Sequence, residues 1–375
     1  MKAYSTEVSL STEQQTQYAR TVGTCRYIYN LFISANQERH QSGLKYIDNY
    51  KFSIWLNNEY LRDNPDKIWI KDVSSKSVRN TIDNAHGSFK KFFKKQSGFP
   101  NFKKKSRDKT GMYFVRNGKT SQAIKCERHR IKVPTLGWVR LKEYGYLPKK
   151  NIISGHIKHV AGRYYISVIV DGEESVLYNN SEDGIGVDLG VKDFVVLSDG
   201  TKYHTKKHKK LLKKLKREQR RLSRKYNNNK KGDATRNIEK QVLKVAKIHH
   251  KISNARKDYI HKTTSDIVKR KPSFITVEDL NIKGMMKNRH LSKAIANQGF
   301  NMFVEILKYK AHANSIEIRM VSRFYPSSKL CSVCGTIKPD LKLSDRIYKC
   351  DCGNELDRDV NAAINLKAAL SYTII

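Results

Sequence analysis

The chain has 375 residues, and its 74 lysines and arginines against 35 aspartates and glutamates give a formal net charge of +39. Such an excess of positive charge would repel itself in a compact protein, so it predicts a polyanionic partner, DNA or RNA. A membrane-surface protein is disfavoured, because the basic residues run along the whole chain and not along one amphipathic helix. A structural, ribosome-like protein stays open at this point.

The N-terminal segment M-K-A-Y-S-T-E lacks the apolar core of a secretory signal. No window approaches the ~20 apolar residues that span a bilayer. We therefore expect a cytoplasmic protein associated with the bacterial nucleoid, whose six cysteines are reduced. Clustered cysteines then predict a metal site, whereas the isolated Cys25 and Cys126 are interpreted as packing residues.

The N-terminal part predicts one strand followed by helices. Residues 3–10 alternate polar and apolar side chains, which is typical of a short strand. Ser11 and Gln14 have the spacing of a capping box, so a helix is expected to begin there. Further helices are predicted over 54–61 and 74–96, which makes this part a small helical domain with basic polar faces.

Beyond this helical part the periodicity changes to two. Several short strands broken by glycine and proline are predicted between 112 and 170, and they suggest a small β-barrel that the N-terminal strand joins. The helical segment 11–109 would then be an insertion in the barrel. Barrels of this size commonly bind nucleic acid, although a structural spacer is an equally open interpretation.

The second half begins with the apolar meander G-I-G-V-D-L-G-V-K-D-F-V-V-L, which predicts short strands joined by a Ser-Asp-Gly turn. The strongly basic stretch 206–262 predicts two helices joined at 227–232 into a hairpin. A buried strand is predicted over 273–277, a single helix over 292–313 and a last helix over 360–370.

Three acids follow this pattern of strands and helices. Asp188 closes a strand, Glu278 closes another, and Asp359 opens the last helix. Each alone is more often structural, because strand ends and helix starts are easily solvated. Their order along the chain is that of an RNase H-like fold, in which distant carboxylates converge at one edge of a mixed sheet. We therefore predict that Asp188, Glu278 and Asp359 are catalytic.

Such a cluster suits phosphodiester hydrolysis. Negative charge builds on the attacking and leaving oxygens, and two Mg²⁺ ions roughly 3.5–4 Å apart can stabilise both. Carboxylate oxygens are the hard ligands that Mg²⁺ prefers. Asp357 is the alternative to Asp359, since both precede the last helix. Asp193 and Asp279 are interpreted as turn or surface acids.

Four cysteines have metal-ligand spacing. Cys331-x-x-Cys334 and Cys350-x-Cys352 are separated by about fifteen residues, which fits a structural Zn²⁺ ribbon with no open ligand position. The second pair needs a tight turn, for which Gly353 is suited. Four unrelated reduced cysteines are the alternative.

Four segments resemble a known family: G-V-D-L-G-V-K-D-F, V-E-D-L-N-I-K-G-M, F-Y-P-S-S-K-L-C-S-V-C-G and D-R-D-V-N-A-A-I-N-L. They resemble TnpB, a family of transposon-encoded proteins ancestral to type V CRISPR effectors. The segments G-F-P-N-F-K-K-K and S-F-K-K-F-F resemble the amino-terminal half of that family. The resemblance covers essentially the whole chain, although the pair C-x-C departs from the commoner C-x-x-C.

The resemblance implies a multidomain α+β protein. A wedge β-barrel with an inserted helical recognition domain would precede an RNase H-like (RuvC) α/β domain with a helical hairpin insertion and a zinc ribbon. The implied domains are the wedge β-barrel (1–10 and 110–180), the helical recognition domain (11–109), the RuvC domain (181–323) with its basic hairpin (206–262), the zinc-ribbon target-nucleic-acid-binding module (324–356) and the final RuvC helix (357–375).

The resemblance also implies a function. The family's proteins are RNA-guided DNA endonucleases, which cut double-stranded DNA beside a short transposon-associated motif. The implied partners are a guide RNA derived from the transposon end and double-stranded target DNA. The implied cofactors are a two-ion Mg²⁺ site and a structural Zn²⁺. By motif match, Asp188, Glu278 and Asp359 correspond to the RuvC triad, and the zinc ligands correspond to Cys331, Cys334, Cys350 and Cys352.

Four further residues are candidates for nucleic-acid contacts. Ser75 and Arg79 lie on the polar face of the predicted helix 74–96, whose start could enter a groove and read the motif. Arg346 and Lys349 lie within the cysteine module and are candidates for phosphate contacts. Solvated surface residues are the alternative for all four.

Three other functions compete with this one. A nuclease-inactive or weakly active guide-RNA-dependent DNA-binding regulator is disfavoured by the presence of Asp188, Glu278 and Asp359. A structural RNA-binding protein would not need these acids. A single-strand transposase would need a His-hydrophobic-His motif, and no H-x-H sequence occurs.

Overall fold

The computed structural model describes residues 1–105, 110–116, 124–149, 151–171, 180–206, 208–229, 235–342 and 345–375. The chain divides into two compact units, Met1–Glu173 and Glu174–Ile375. Each unit combines helices with a six-stranded sheet, so the fold is mixed α/β. In these described ranges no helix combines the length and the apolar composition needed to cross a membrane.

The first unit contains an antiparallel sheet with the strand order β2-β5-β6-β1-β4-β3. Its strands are β1 (Lys2–Ser9), β2 (Met112–Val115), β3 (Arg130–Val133), β4 (Gly137–Leu141), β5 (Ile152–Val160) and β6 (Arg163–Val170). The N-terminal strand β1 joins the sheet between β4 and β6, as predicted. Within the described residues β2 and β3 lie at the two outer edges of the sheet and do not pair with each other, so the predicted small β-barrel is observed as a half-barrel.

The helices of the first unit lie between β1 and β2 in the chain. They are α1 (Thr12–Gln41), α2 (Asn49–Trp55), α3 (Leu61–Asp63) and α4 (Ser75–Phe93), with a π-helical turn at Leu56–Tyr60 and a 3-10 segment at Pro65–Asp72. The predicted capping box is confirmed, because Ser11 and Gln14 bond each other's backbone amides. The predicted helix over 54–61 lies within a longer helical stretch that begins earlier than predicted, at Asn49, where Asp48 caps α2.

The second unit contains a mixed sheet with the order β14-β11-β10-β7-β8-β9. Its strands are β7 (Ile185–Asp188), β8 (Asp193–Leu197), β9 (Lys202–His204), β10 (Phe274–Glu278), β11 (Glu317–Val321) and β14 (Thr373–Ile374), while β12 (Ile347–Lys349) and β13 (Glu355–Asp357) form a separate hairpin. The central strands β7, β10 and β11 are parallel, and the other pairs are antiparallel. The parallel strands therefore end at one edge of the sheet.

The helices of the second unit are α5 (Lys209–Asn227), α6 (Arg236–Lys269), α7 (Ile282–Met285), α8 (Ser292–Gln298), α9 (Phe300–His312) and α10 (Arg358–Ala368). The long helices α5 and α6 pack together as the predicted hairpin. Residues 230–232 of the predicted connection 227–232 lie outside the described ranges. The predicted single helix over 292–313 was wrong, because Gly299 adopts a left-handed conformation with φ of 73° and separates α8 from α9.

One hydrophobic core supports the second unit. Val187 of β7 and Val277 of β10 have no exposed surface, and Phe303 of α9 is equally buried. These side chains belong to one cluster with residues of α6 and β11. Packed apolar side chains therefore fix the positions of the strands that end in Asp188 and Glu278.

Candidate functional site

Two of the predicted carboxylates lie at the ends of neighbouring strands. In the parallel pair of β7 and β10, Val187 lies opposite Val277, and the next residues are Asp188 and Glu278. Residues in register on parallel strands point to the same face of the sheet. Both carboxyls are half-buried. The structure thus brings together two acids that are far apart in sequence.

The third predicted carboxylate, Asp359, is carried by α10, the helix that packs on the strands ending in Asp188 and Glu278. This helix packs on β7, β8 and β10, and Asp359 lies in its first turn. The contact is closest at Gly186, where a Cβ atom would lie 1.8 Å from the carbonyl oxygen of Ala363 and 2.6 Å from the amide nitrogen of Lys367. Gly186 precedes Asp188 by two residues and shares its face of the sheet. Only glycine therefore allows the helix to lie directly on this strand.

Gly186 is a functional candidate that the sequence reading missed. The available signal was a glycine two residues before an acid, inside an otherwise apolar strand. A glycine in a strand often marks the close approach of another backbone, and here that backbone belongs to the helix that carries Asp359.

The electrostatics of Asp188 are consistent with three neighbouring acids. Burial is the main cause that raises the pKa of Asp188 to about 7, and the charges of Asp359 and Glu278 raise it further. Arg358 acts in the opposite direction without cancelling them. A carboxylate in this position is destabilised by burial and by like charge, so the site favours an added cation.

Glu278 is perturbed in the same direction. Burial raises its pKa to about 7, the neighbouring Asp279 contributes to the increase, and a hydrogen bond from Ser327 opposes it. Two of the three carboxyls therefore have a pKa near neutrality. Such perturbed carboxyls are characteristic of functional sites.

The ligand atoms of the three carboxylates do not all lie within 4.8 Å of one another. Across the described ranges, the cysteine quartet is the sole group of three or more histidine, cysteine or acidic residues whose ligand atoms all lie within 4.8 Å of one another. Asp188, Glu278 and Asp359 form no such tight shell.

Asp357 has a different task from Asp359. It is the N-cap of α10, and its Oδ1 accepts hydrogen bonds from the backbone amides of Asp359 (3.0 Å) and Val360 (3.3 Å). Its Oδ2 lies 2.5 Å from Nζ of Lys202. Burial opposes ionisation, but these partners together lower the pKa of Asp357. Asp357 thus orients the first turn of α10 and has its charge compensated.

The two remaining acids also have partners. The interpretation of Asp193 as a turn or surface acid was wrong: it lies in β8, is only 8% exposed and hydrogen-bonds Nδ1 of His204 at 2.6 Å. A strand position was missed because Val191 and Lys192 precede it in what the sequence suggested to be a turn. Asp279 forms an ion pair with Arg323.

The four cysteines converge in the second unit. The sulfur atoms of Cys331 and Cys352 are 3.7 Å apart, and those of Cys334 and Cys350 are 3.6 Å apart. A tetrahedral zinc ion with Zn–S bonds of about 2.3 Å would separate its sulfur ligands by roughly 3.8 Å. The cluster is therefore consistent with a zinc site.

Two turns shape this cluster. Gly335 and Gly353 follow the two cysteine pairs directly, with φ values of 75° and 88° that favour glycine. The side chain of Asn354 donates a hydrogen bond to the sulfur of Cys331 at 3.3 Å. Burial opposes ionisation of Cys331, but hydrogen bonds from backbone amides and from Asn354 lower its pKa to about 6. The thiolate form that binds a metal is thus favoured at this position.

Two buried asparagines fasten the cysteine module to α10. Asn361 is 0% exposed; its amide donates to the carbonyl of Leu330 at 2.7 Å, and its Oδ1 accepts from the amide of Ser332 at 3.1 Å. Asn365 is 3% exposed and donates to the carbonyls of Ser327 (2.8 Å) and Leu330 (2.7 Å).

The sequence reading also missed these asparagines. Their signal was a pair of amide side chains four residues apart on the apolar side of the helix V-N-A-A-I-N-L. Ser327, which bonds Asn365 through its carbonyl, also hydrogen-bonds Glu278. The cysteine module, α10 and the carboxylate cluster are consequently one connected structure.

The predicted nucleic-acid contacts lie in different units. Ser75 and Arg79 are exposed near the start of α4, and Arg79 lies 3.4 Å from Asp83. Arg346 is exposed beside β12, and Nζ of Lys349 lies 2.8 Å from Glu355 on the neighbouring strand. The contacts of these four side chains among the described residues neither support nor oppose nucleic-acid binding, so this role stays a prediction.

Three family models match separate parts of the chain. A model described as a helix-turn-helix domain matches residues 1–45, and one described as a probable transposase matches residues 167–289. A model described as the TNB domain of Cas12f1-like proteins matches residues 300–366, a range that contains the four cysteines and Asp359.

Two curated relatives span nearly the whole chain. InsQ of Escherichia coli K12, named as an RNA-guided DNA endonuclease, is 29% identical over 392 residues, which cover 98% of this chain and 92% of InsQ. A Streptomyces pristinaespiralis protein with the same description is 29% identical over 368 residues, which cover 95% of this chain and 86% of the relative.

A solved structure has a similar fold. It is the Cas12f1 chain in a cryo-EM structure of a Cas12f1–sgRNA–target DNA complex, with a TM-score of 0.59 and 15% sequence identity. The superposition covers 97% of this chain and 84% of that chain. At this identity the likeness concerns the fold alone.

The close contact at Gly186 predicts that adding one methyl group there, by substitution with alanine, strongly lowers the stability of the protein. Gly186→Ala should lower the free energy of unfolding of the protein by about 1–3 kcal/mol or more, because the new Cβ meets helix backbone that cannot rotate away. Chemical denaturation measures the change. Gly87→Ala is the matched control, since its Cβ meets no atom within 4 Å and should leave stability equal or slightly higher. Equal midpoints for wild type and Gly186→Ala would contradict the close contact.

The sulfur geometry predicts one tightly bound zinc ion per chain. Cys350→Ser should lose stoichiometric zinc and loosen residues 324–356, because metal binding and folding of a small ribbon are coupled. Elemental analysis and hydrogen exchange measure the two effects. Cys126→Ser, a buried cysteine of the other unit, should keep the zinc. Full zinc content in Cys350→Ser would refute the quartet.

Proposed function

This chain belongs to the TnpB family of transposon-encoded proteins, and we propose that it is an RNA-guided endonuclease that cuts double-stranded DNA beside a short transposon-associated motif. The family models and the curated relatives named as RNA-guided DNA endonucleases support this function. The single observation in the structure that carries it is the meeting of Asp188, Glu278 and Asp359 at one sheet edge.

The carboxylates would hold the catalytic metal. Asp188, Glu278 and Asp359 offer hard oxygen ligands. Burial first, and neighbouring negative charge second, raise the pKa of Asp188 and of Glu278, and a bound cation would compensate both effects. Mg²⁺, when bound, supplies charge stabilisation for the attacking and leaving oxygens of the phosphodiester. Three carboxylates that leave sites for water and phosphate suit a two-ion centre, which is the arrangement proposed here.

The surrounding residues keep these oxygens in place. Asp357 caps α10 and is fixed by Lys202, so the turn that carries Asp359 has one orientation. Ser327 bonds Glu278 and thereby holds the carboxyl beside Asp188. Arg358 compensates part of the negative charge near Asp188. Catalysis by metal ions needs ligands that are positioned in advance, and these contacts provide the positioning.

We assign the family's domains to the observed elements. The half-barrel of β1–β6 corresponds to the wedge domain (1–10 and 110–180), and α1–α4 correspond to the helical recognition domain (11–109). The second sheet with the α5–α6 hairpin and α10 corresponds to the RuvC domain (181–323 and 357–375). The cysteine module (324–356) corresponds to the zinc ribbon.

The basic surfaces would bind the nucleic acids. One groove along α5 is lined only by cations: Lys210, Lys213, Lys214, Lys216, Arg217, Arg220, Arg221 and Arg224. Such a row suits the phosphate backbone of a guide RNA or of its heteroduplex with DNA, while base pairing supplies sequence specificity. Ser75 and Arg79 are assigned to motif reading, and Arg346 and Lys349 to target-strand phosphates.

The proposed function predicts a guide RNA and guide-directed cutting. Protein expressed beside its native flanking DNA should copurify with one discrete RNA, and this complex should linearise a matching plasmid in Mg²⁺. Asp188→Ala should reduce the cleavage rate on the order of 10³-fold or more, because several kcal/mol of charge stabilisation are lost. Asp258→Ala, which removes a surface acid paired with Lys262, is the matched control.

Each outcome of this experiment separates the alternatives. Bound RNA and bound DNA without cutting in the wild type would identify a nuclease-inactive regulator. Absence of a discrete RNA would exclude a guided protein of either kind. Equal cutting by wild type and Asp188→Ala would show that the acid is wrongly assigned.

The raised pKa of Asp188 predicts a pH-dependent stability. A carboxyl whose pKa rises to about 7 on folding stabilises the fold while protonated; this contribution is complete below its ordinary pKa of 3.8 and is lost as pH rises through about 7. The unfolding temperature of the Mg²⁺-free, zinc-loaded protein should therefore contain a component that falls across this window. Added Mg²⁺ should raise the unfolding temperature again at high pH, because the cation compensates the ionised carboxyl.

Asp188→Asn tests this directly. The neutral amide should flatten the pH dependence and abolish the response to Mg²⁺, as measured by thermal unfolding in chelator-free buffers between about pH 5 and pH 8. Asp258→Asn should keep both effects. If wild type and Asp188→Asn gave parallel plots of unfolding temperature against pH and equal increases with Mg²⁺, Asp188 would not be a metal ligand.

A further inference from the structure

Phe324 is the most exposed aromatic residue in the part of the chain that the structure describes, at 88%. It belongs to the turn Ser322–Pro326, which directly follows β11. Single exposed apolar residues are common on proteins and need no explanation by themselves. The position and the rigidity of this turn distinguish Phe324 from such residues.

Both ends of the turn lie at Glu278. Before the turn, Val321 is the register partner of Glu278 in the parallel pair of β10 and β11. After the turn, Ser327 hydrogen-bonds Glu278. A chain that leaves one side of a carboxyl and returns to it within six residues must form a short loop beside it. Phe324 is at the middle of this loop.

The loop is held by hydrogen bonds that leave the phenyl ring free. The hydroxyl of Ser322 accepts from the amide of Phe324 at 3.3 Å, and the amide of Tyr325 donates to the carbonyl of Ser322 at 3.0 Å. The hydroxyl of Tyr325 donates to the carbonyl of Asn365 in α10 at 3.2 Å. Arg323 pairs with Asp279. The backbone under the ring is therefore anchored to both the sheet and α10.

We propose that Phe324 is a stacking platform for an unpaired nucleobase of the DNA strand that enters the carboxylate cluster. This inference rests on the proposed function. Pairing of a guide with one DNA strand displaces the other as a single strand, whose unpaired bases can stack on an aromatic side chain. An exposed phenyl ring beside Glu278 supplies such a partner and tolerates every base, because each has a π-face.

The surroundings favour a nucleobase over a protein side chain. A stable protein interface buries about 800 Å² on each partner. The other exposed residues of the turn are the polar Ser322 and the charged Arg323, whereas Tyr325 and Pro326 are half-buried. A single ring between polar groups is too small an apolar surface for that purpose. The ring matches the area of one base.

Fluorescence tests the contact without cleavage. The guide RNA complex is mixed, in Mg²⁺-free buffer, with target duplexes that carry 2-aminopurine at successive positions of each strand. In the wild type, one or two unpaired positions should be quenched by stacking, and Phe324→Ala should remove this quenching. Phe93→Ala, the same truncation at a half-exposed phenylalanine of the first unit, should keep it.

Kinetics supply the second measurement. Phe324→Ala should slow single-turnover cutting by roughly 5- to 100-fold, the range expected for loss of one stacked base. The Kd for target DNA should stay within about twofold, and Phe324→Trp should restore the rate whereas Phe324→Leu should not. An abasic site at the quenched position should reproduce the defect in the wild type and add nothing to Phe324→Ala.

The outcomes separate this inference from the proposed function. If target DNA binds but no position is quenched in a Phe324-dependent manner, the platform is refuted while guided binding stands. A wild-type cutting rate in Phe324→Ala refutes it as well. A change in oligomeric state on substitution would show instead that the ring contacts a second copy of the chain. Failure of all variants and of the wild type to bind target DNA would overturn the proposed function itself.

Discussion

At Gly186 a helix lies against a strand with no side chain between them, and the candidate nuclease centre depends on this contact. The carbonyl of Ala363 occupies the space that a Cβ atom would need. Because Asp188 follows on the same face, the close approach brings the first turn of α10, with Asp359, over the end of β7. A larger residue at position 186 would separate the helix from the strand and the third carboxylate from the other two.

The cysteine module is part of the same structure. Buried amide groups of Asn361 and Asn365 bond the backbone that leads into the first cysteine pair, and Ser327 joins this backbone to Glu278. Unpaired buried amides are costly, so these bonds hold the module firmly on α10. A metal ion among the four sulfurs would therefore stabilise the neighbouring carboxylate cluster as well as the ribbon.

The sequence predicted local features well where one signal dominates. The capping box of Ser11 and Gln14 is confirmed, and the glycine after the second cysteine pair has the positive φ that its turn requires. Predictions failed where tertiary contacts compete with local pattern. The helix over 292–313 breaks at Gly299, and Asp193 is buried against His204 although its neighbours suggest a turn. The periodicity of apolar residues predicts which face of an element is buried, but it does not predict which other element packs against that face.

The sequence alone determined the family, the basic character and the residue types available for two metal sites, because charge, cysteine spacing and motif identity are local properties of the chain. It also placed Asp188 and Glu278 at strand ends. Only the tertiary structure decided that these strands are parallel neighbours in register, that Asp357 caps α10 while Asp359 approaches Asp188, and that the turn with Phe324 follows Val321, the register partner of Glu278. Contacts between residues distant in the chain depend on how elements pack, and no local pattern encodes that arrangement.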